Sequence, residues 1–200
     1  MKIGILGGSF DPIHNGHLNM AKQALQEYQL DEVWLMPAGH SPNKIEADMT
    51  PAAIRYEMTK LAAETQSKLA ASDFELRKKS TSYTYQTLEL LQARYPNHTF
   101  YFIMGADSLD YFEQWAHPDI ICKYAVILVV NRDSFQEEEL SRKIQEIQKM
   151  FYADIRIVHC TKVDVSSREI RQKISLGDTC RNLLPENVWN YIITNHLYGA

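Results

Sequence analysis

Residues 7–18 read Gly7-Gly8-Ser9-Phe10-Asp11-Pro12-Ile13-His14-Asn15-Gly16-His17-Leu18. The two leading glycines allow the backbone to turn sharply and to come close to a ligand. His14 and His17 frame Asn15-Gly16 where helical spacing begins, and helix N-termini favour phosphate through their orphan N–H groups and partial positive charge. The segment therefore points to a phosphate-handling turn with imidazole donors added. No G-x-x-x-x-G-K-[ST] occurs, and Gly4, Gly7 and Gly8 do not form G-x-G-x-x-G, which disfavours a P-loop and a dinucleotide oxidoreductase. Three blander readings stay open at this point. Gly7-Gly8 could be an ordinary strand-to-helix turn, either histidine could serve the core, and His14, His17 and Asp11 could bind zinc.

Four further stretches carry chemistry. In Val165-Ser166-Ser167-Arg168-Glu169-Ile170-Arg171, Ser166 and Glu169 make an S-x-x-E capping box. Ser167 and Arg171 are four apart and share a helix face. A hydroxyl, free N–H groups and a planar guanidinium there make a second anion site. Gly105-Ala106-Asp107 ends an apolar run with a glycine and an acid, either a capped helix start or a ligand contact. Trp115 is core packing or a flat stacking partner for a ring. Ser82-Tyr83-Thr84 opens a helical pattern, with Ser82 as a cap, and the N–H groups and Thr84 hydroxyl there could receive a carboxylate. Arg132, at the end of another apolar run, could be a surface arginine in a turn. Arg77-Lys78-Lys79 reads as a solvated loop in preference to a basic patch, and Glu137–Glu139 as the opening of a solvated helix.

These residues need a frame that holds them. Near-continuous apolar runs at 3–6, Val33–Met36, Phe100–Met104 and Ala125–Val130 predict strands buried on both faces of a parallel sheet. Weaker runs at Leu69–Leu76 and Ile155–Val158 add two candidates. Helical spacing falls between them at 17–29, 51–65, 83–94 and 136–150, with Thr50 as cap and Pro51 in the first turn of the second. Such alternation predicts an α/β fold with a doubly wound, mostly parallel sheet. Ligands on these sheets bind beyond the C-terminal strand ends, where the 7–17 turn lies. Residues 1–200 read as a single domain, its last stretch, 160–198, as two helices closing over the sheet.

The pattern G-x-F-x-P-x-H-x-G-H, carried by Gly8, Phe10, Pro12, His14, Gly16 and His17, resembles the signature of the H-x-G-H nucleotidyltransferases. Tyr83-Thr84, Trp115 and the ending Leu184-Pro185-Glu186-Asn187-Val188 to Leu197-Tyr198 extend the resemblance, from Lys2 to Tyr198, to the bacterial nicotinate-mononucleotide adenylyltransferases. It implies a Rossmann-like fold and transfer of the adenylyl group of ATP to nicotinate mononucleotide, with release of pyrophosphate, in NAD biosynthesis. His17 would then meet the α-phosphate at the transition state, with His14 nearby. Arg171 and Ser167 would hold the β- and γ-phosphates, with Lys44 helping. Gly7, Gly8, Ser9 and Phe10 would complete the cradle with main-chain N–H groups. Gly105, Asp107 and Arg168 would belong to the ATP side, and Tyr83, Thr84, Trp115 and Arg132 to the mononucleotide side. Mg²⁺ would ride on the ATP phosphates, with no protein cage. The tail after Leu184 would pack without touching substrate.

The chain departs from the family pattern in places. Val165 and Arg168 stand where Ile and Thr are usual. Ser41-Pro42-Asn43-Lys44 replaces Pro-Pro-His-Lys, so no imidazole can act at Asn43. Ala116 follows Trp115 where an aromatic is common. An acceptor such as nicotinamide mononucleotide, phosphopantetheine or a sugar-like phosphate remains an alternative, as does a nucleotide-binding sensor without turnover.

Composition bounds the rest. The 200 residues are 45% apolar, enough for a sizeable core. A net charge of −4 and a pI near 6.0 argue against general nucleic-acid binding. Three cysteines, at 122, 160 and 180, fit a reduced compartment better than a disulfide framework. There is no signal-peptide pattern and no run near the ~20 apolar residues of a membrane helix, so the expected location is the cytoplasm. No pattern encodes the oligomeric state, and a homo-oligomer is compatible with the sequence.

Overall fold

The six apolar runs become six parallel strands: β1 (Lys2–Gly8), β2 (Glu32–Pro37), β3 (Leu69–Ala71), β4 (Thr99–Gly105), β5 (Ala125–Asn131) and β6 (Ile155–His159). Their order in the sheet is β3-β2-β1-β4-β5-β6. The computed structural model describes residues 1–39, 49–77, 81–131, 137–161 and 163–200. Among these the helices are α1 (Asn15–Glu27), α2 (Ala52–Glu64), α3 (Thr84–Arg94), α4 (Ala106–Leu109), α5 (Pro118–Tyr124), α6 (Glu137–Phe151), α7 (Ser167–Ser175) and α8 (Glu186–Thr194).

Side chains alternate across each strand, so neighbours in sequence serve opposite faces. Leu6, Leu35, Ile103 and Leu128 face one core, covered by α1, α2, α7 and α8 through Ala21, Met58, Ile170 and Val188. Ile5, Met36, Phe102 and Val129 face the other, covered by Leu88 of α3, Leu109 of α4, Ile121 of α5 and Ile144 of α6. Burial on both faces explains why the strand sequences are apolar nearly throughout. Crossovers run outward in opposite directions from β1 and from β4, its neighbour. That reversal opens a crevice beyond the C-terminal ends of the two strands.

Local differences from the sequence expectation have simple causes. The third strand stops at Ala71 because Ser72 and Asp73 bend the chain: the Phe74 N–H bonds the Ser72 hydroxyl, and the Leu76 N–H bonds the Asp73 carbonyl. Pro51 itself occupies the cap position of α2, so Thr50 lies one residue outside. The short helices α4 and α5 fall below the length at which periodicity is visible. No helix among the described residues is long and apolar enough to cross a membrane.

Candidate active site

Gly7 and Gly8 finish β1, paired with Met36 and Pro37, instead of forming the bend themselves. The bend falls at Phe10, whose φ of 48° is left-handed, and a cis Asp11–Pro12 peptide follows it. A left-handed residue other than glycine costs about 1–2 kcal/mol. Full burial of the Phe10 ring offsets this by about 1.5–3 kcal/mol. Glycine is needed at position 8 because a Cβ there would lie 2.8 Å from that ring.

The chain then enters α1 with His14 at the cap. The His14 main-chain N–H donates to His17 Nδ1 at 3.3 Å, which leaves Nε2 as the N–H of the His17 ring. The two imidazoles stack at 3.7 Å with 25° between planes, and Phe10 meets His17 edge-on at 5.0 Å. His14 is buried, whereas His17 is half-buried. His14 thus backs the His17 ring. A Cβ on Gly16 would lie 3.0 Å from both His14 Nδ1 and Val165 Cγ1, so glycine lets α1 start against the segment leading into α7.

That segment carries Ser167 and Arg171, the residues of the second expected anion site. Ser166 caps α7 and accepts the Glu169 N–H at 3.2 Å. The Glu169 carboxylate pairs with Lys173 at 2.8 Å. Ser167 Oγ donates to the Pro12 carbonyl at 2.9 Å, and Arg171 Nη1 donates to the Asp11 carbonyl at 2.7 Å. The start of α7 is therefore fastened to the first bend. Arg168 is exposed.

Asp11 is buried and held from a third direction. Its Oδ1 accepts the Tyr198 hydroxyl at 2.7 Å, and its Oδ2 accepts the Thr50 N–H at 3.3 Å. Burial and the Asp11 charge push the Tyr198 hydroxyl well above its ordinary range. The tail thus does more than pack, since Tyr198 anchors the bend. These bonds also direct Asp11 away from a zinc role, and among the described residues no group of three His, Cys, Asp or Glu could hold a metal.

On the other side of the bend a cavity of about 530 Å³ opens, lined by Gly8, Ser9, Glu75, Tyr83, Thr84 and Trp115 among others. Tyr83, Thr84 and Trp115 thus meet the end of β1, as their proposed shared task requires. Tyr83 caps α3, and the Ser82 hydroxyl is buried with no hydrogen-bond partner among the described residues, so Ser82 is not the cap. Trp115 Nε1 is a second buried donor with no partner among them. The indole packs edge-on against Phe102 at 6.1 Å. A Lys143–Glu113 ion pair of 2.7 Å ties α6 to the turn just before it. Burial pushes the Glu113 carboxyl up, but the bonds from Lys143 and its own main chain outweigh this and hold it below the ordinary range.

Glu75 lies outside the sequence expectation because its stretch reads as strand. It accepts the Thr87 hydroxyl at 2.8 Å beside the cavity. Arg55 was hidden too, as a lone charge in an apolar helix, although it is 2% exposed. Gly105 caps α4 at the end of β4, with Asp107 exposed in the first turn, and neither is among the residues that line the cavity. Ala116 lines it where an aromatic was the family's habit. Arg77 is engaged with Asp73 at 2.8 Å. Lys44, Arg132, Lys78, Lys79 and the Ser41-Pro42-Asn43 departure lie outside the described residues.

Residues 5–173 match the cytidylyltransferase-like family, which places this doubly wound chain among the nucleotidyltransferases. A relative from Clostridium botulinum, strain Okra, described as a probable nicotinate-nucleotide adenylyltransferase, is 42% identical over 195 residues, 97% of each chain. One from Clostridium tetani with the same description is 39% identical over 98% of each chain. The chain belongs to the nicotinate-nucleotide adenylyltransferase family and is an enzyme. In fold it is similar to the Plasmodium falciparum nicotinic acid mononucleotide adenylyltransferase complexed with NaAD (TM-score 0.80, 22% identity, 98% and 97% of the two chains). The same protein complexed with APC gives a TM-score of 0.79 at 22% identity, over 98% and 96% of the two chains.

Proposed function

We propose that this enzyme transfers the adenylyl group of ATP to nicotinate mononucleotide, forming nicotinate adenine dinucleotide and pyrophosphate in NAD biosynthesis. The observation that carries the reading is the fastening of α7 onto the first bend through Ser167–Pro12 and Arg171–Asp11, while Gly8 and Ser9, where that bend leaves β1, line the cavity with Thr84 and Trp115. In this reading the bend and α7 receive the triphosphate, and the cavity receives the mononucleotide.

In the proposed reaction a phosphate oxygen of the mononucleotide attacks the α-phosphorus in line, and the bond to the β,γ-pyrophosphate breaks. The attacking group is already anionic, so catalysis needs positioning and charge stabilisation more than proton transfer. His17 gives its Nε2–H to the α-phosphate, and stacking on His14 keeps the ring in place. Arg171 and the start of α7 take the β- and γ-phosphates, with Lys44 and Arg168 as additional cations. Ser167 acts mainly through its bond to Pro12. Main-chain N–H groups at Gly7 to Phe10 complete the cradle. Gly105 and Asp107 belong to the ATP side, and Arg132 to the mononucleotide side. ATP enters as its magnesium complex, where the cation offsets phosphate charge. The imidazole and guanidinium donors suit the anion in that complex.

The acceptor is argued from the cavity. Ser82 Oγ and Trp115 Nε1 are buried donors without partners among the described residues, and the first turn of α3 adds N–H groups through Tyr83 and Thr84. Those donors suit a carboxylate. Glu75, whose Oε1 takes the Thr87 hydroxyl, is the acceptor in the lining that would suit an amide, which makes the amide the competing acceptor to test. We assign the enzyme to the cytoplasm, a reading supported by three free cysteines. The experiment is pyrophosphate release from ATP with nicotinate mononucleotide, nicotinamide mononucleotide or phosphopantetheine. Fastest release with the nicotinate compound is expected. Preference for the amide would overturn the acceptor, and ATP binding without release would leave a sensor.

A further inference from the structure

We infer that Arg55 is the positioning residue of the phosphate cradle, an assignment that rests on the cradle reading above. Arg55 lies in the first turns of α2 and is 2% exposed. Its Nη1 donates to the Ser9 carbonyl at 2.6 Å. Its Nη2 donates to the Ala38 carbonyl at 2.8 Å and the Gly39 carbonyl at 3.4 Å. Its Nε donates to the Thr50 carbonyl at 2.9 Å. One guanidinium thus gathers main-chain oxygens from three segments: the cradle after β1, the end of β2 and the approach to α2.

The bond to Ser9 has a directional consequence. In a trans peptide the carbonyl and the following N–H point opposite ways. Drawing the Ser9 carbonyl inward to Arg55 aims the Phe10 N–H away from it, and Phe10 is the residue with left-handed φ. Successive N–H groups around such a residue form a concave anion nest. Ser9 and Ala38 also line the cavity beside Thr84, so Arg55 fixes a wall that both substrates share. On the far side, Thr50 passes its N–H to the buried Asp11 carboxylate. The cradle is therefore set between a guanidinium and a carboxylate that meet on the same main-chain residue.

Lysine cannot do this work. Its three donors sit on one atom, whereas the guanidinium reaches acceptors from three nitrogens in a fixed plane. The test uses Arg55→Lys and Arg55→Ala, each confirmed as folded by far-UV circular dichroism and by a thermal midpoint above the assay temperature. We expect kcat/KM to fall about 10²-fold in both, the scale of a misplaced reactive geometry. We further expect added guanidinium ion at millimolar concentration to restore part of the turnover of Arg55→Ala in a saturable way, at an unchanged thermal midpoint. A purely structural role would not give that rescue. A folded Arg55→Lys within about threefold of wild-type kcat/KM overturns the inference. So does guanidinium that raises the midpoint of Arg55→Ala without raising turnover. If Arg55→Ala does not fold, Arg55→Lys decides alone. Failure of the wild type to release pyrophosphate would instead sink the proposed reaction, which keeps the two claims separate.

Discussion

Replacing His17 by alanine should damage turnover far more than stability, and the two losses have different origins. The stability loss follows from three contacts. The His14 N–H loses its acceptor at 3.3 Å, the His14 ring loses its stacking partner at 3.7 Å, and Phe10 loses an edge contact at 5.0 Å. One part-exposed hydrogen bond contributes about 1 kcal/mol. Each aromatic contact adds about 0.5–1.5 kcal/mol. The sum, about 2–4 kcal/mol, corresponds to roughly 4–16 °C in Tm for a chain of this size. The turnover loss follows from the Nε2–H, the donor that Nδ1 acceptance leaves on the ring. Removing one donor to developing negative charge costs about 2.7–4 kcal/mol, roughly 10²–10³ in kcat. The assay is pyrophosphate release at saturating ATP and nicotinate mononucleotide, run well below the variant's midpoint. Turnover within about threefold of wild type in a folded variant would remove His17 from the mechanism and refute the argument from its tautomer.

Arg171→Ala should raise the KM for ATP much more than that for the mononucleotide, because the fork is anchored to Asp11 on the α7 side; an unchanged KM for ATP in steady-state kinetics would refute its phosphate role. Tyr198→Phe removes the hydroxyl from buried Asp11 and should lower stability by about 1.5–3 kcal/mol in denaturant titration, whereas an unchanged midpoint would show that the tail is not an anchor. Glu113 has a depressed carboxyl pKa when folded, so its contribution to stability is present above the ordinary glutamate range near 4.3 and is lost as pH falls through the folded value. Lys143→Met should flatten that acid-side slope in melting curves taken across about pH 3–6, and an unaltered slope would place the effect elsewhere.

Much of this was legible in the residues themselves. All six apolar runs contain strands: the four central ones are apolar nearly throughout because both faces of the sheet are covered, whereas the edge strands β3 and β6 give weaker runs, with Arg156 and His159 of β6 exposed. The 17–29, 51–65, 83–94 and 136–150 patterns each became a helix within about two residues, within the usual fraying of helix ends. His14, His17 and Ser167 could be singled out because each sits at a helix start, where residue type is tightly coupled to the orphan N–H groups, and Arg171 follows from its i+4 spacing to Ser167. Arg55, Glu75 and Tyr198 could not. Their partners are Ser9, Thr87 and Asp11, at sequence separations of 46, 12 and 187, and those pairings exist only once the sheet order is known. The glycine reading was half right for a similar reason. Gly8 is required, but as space for the Phe10 ring, and the left-handed turn is made by Phe10 itself.

The bond between Tyr198 and Asp11 spans most of the chain, and its consequence reaches into synthesis on the ribosome. The first bend leaves the ribosome well before the groups that steady it, Ser167, Arg171 and Tyr198, which follow their partners by 155, 160 and 187 residues. On the proposed reading, a nascent polypeptide that carries only the first bend lacks the groups that hold it in shape for a nucleotide. The same fastening predicts that amide hydrogen exchange slows in α1 and α7 alike when ATP is added.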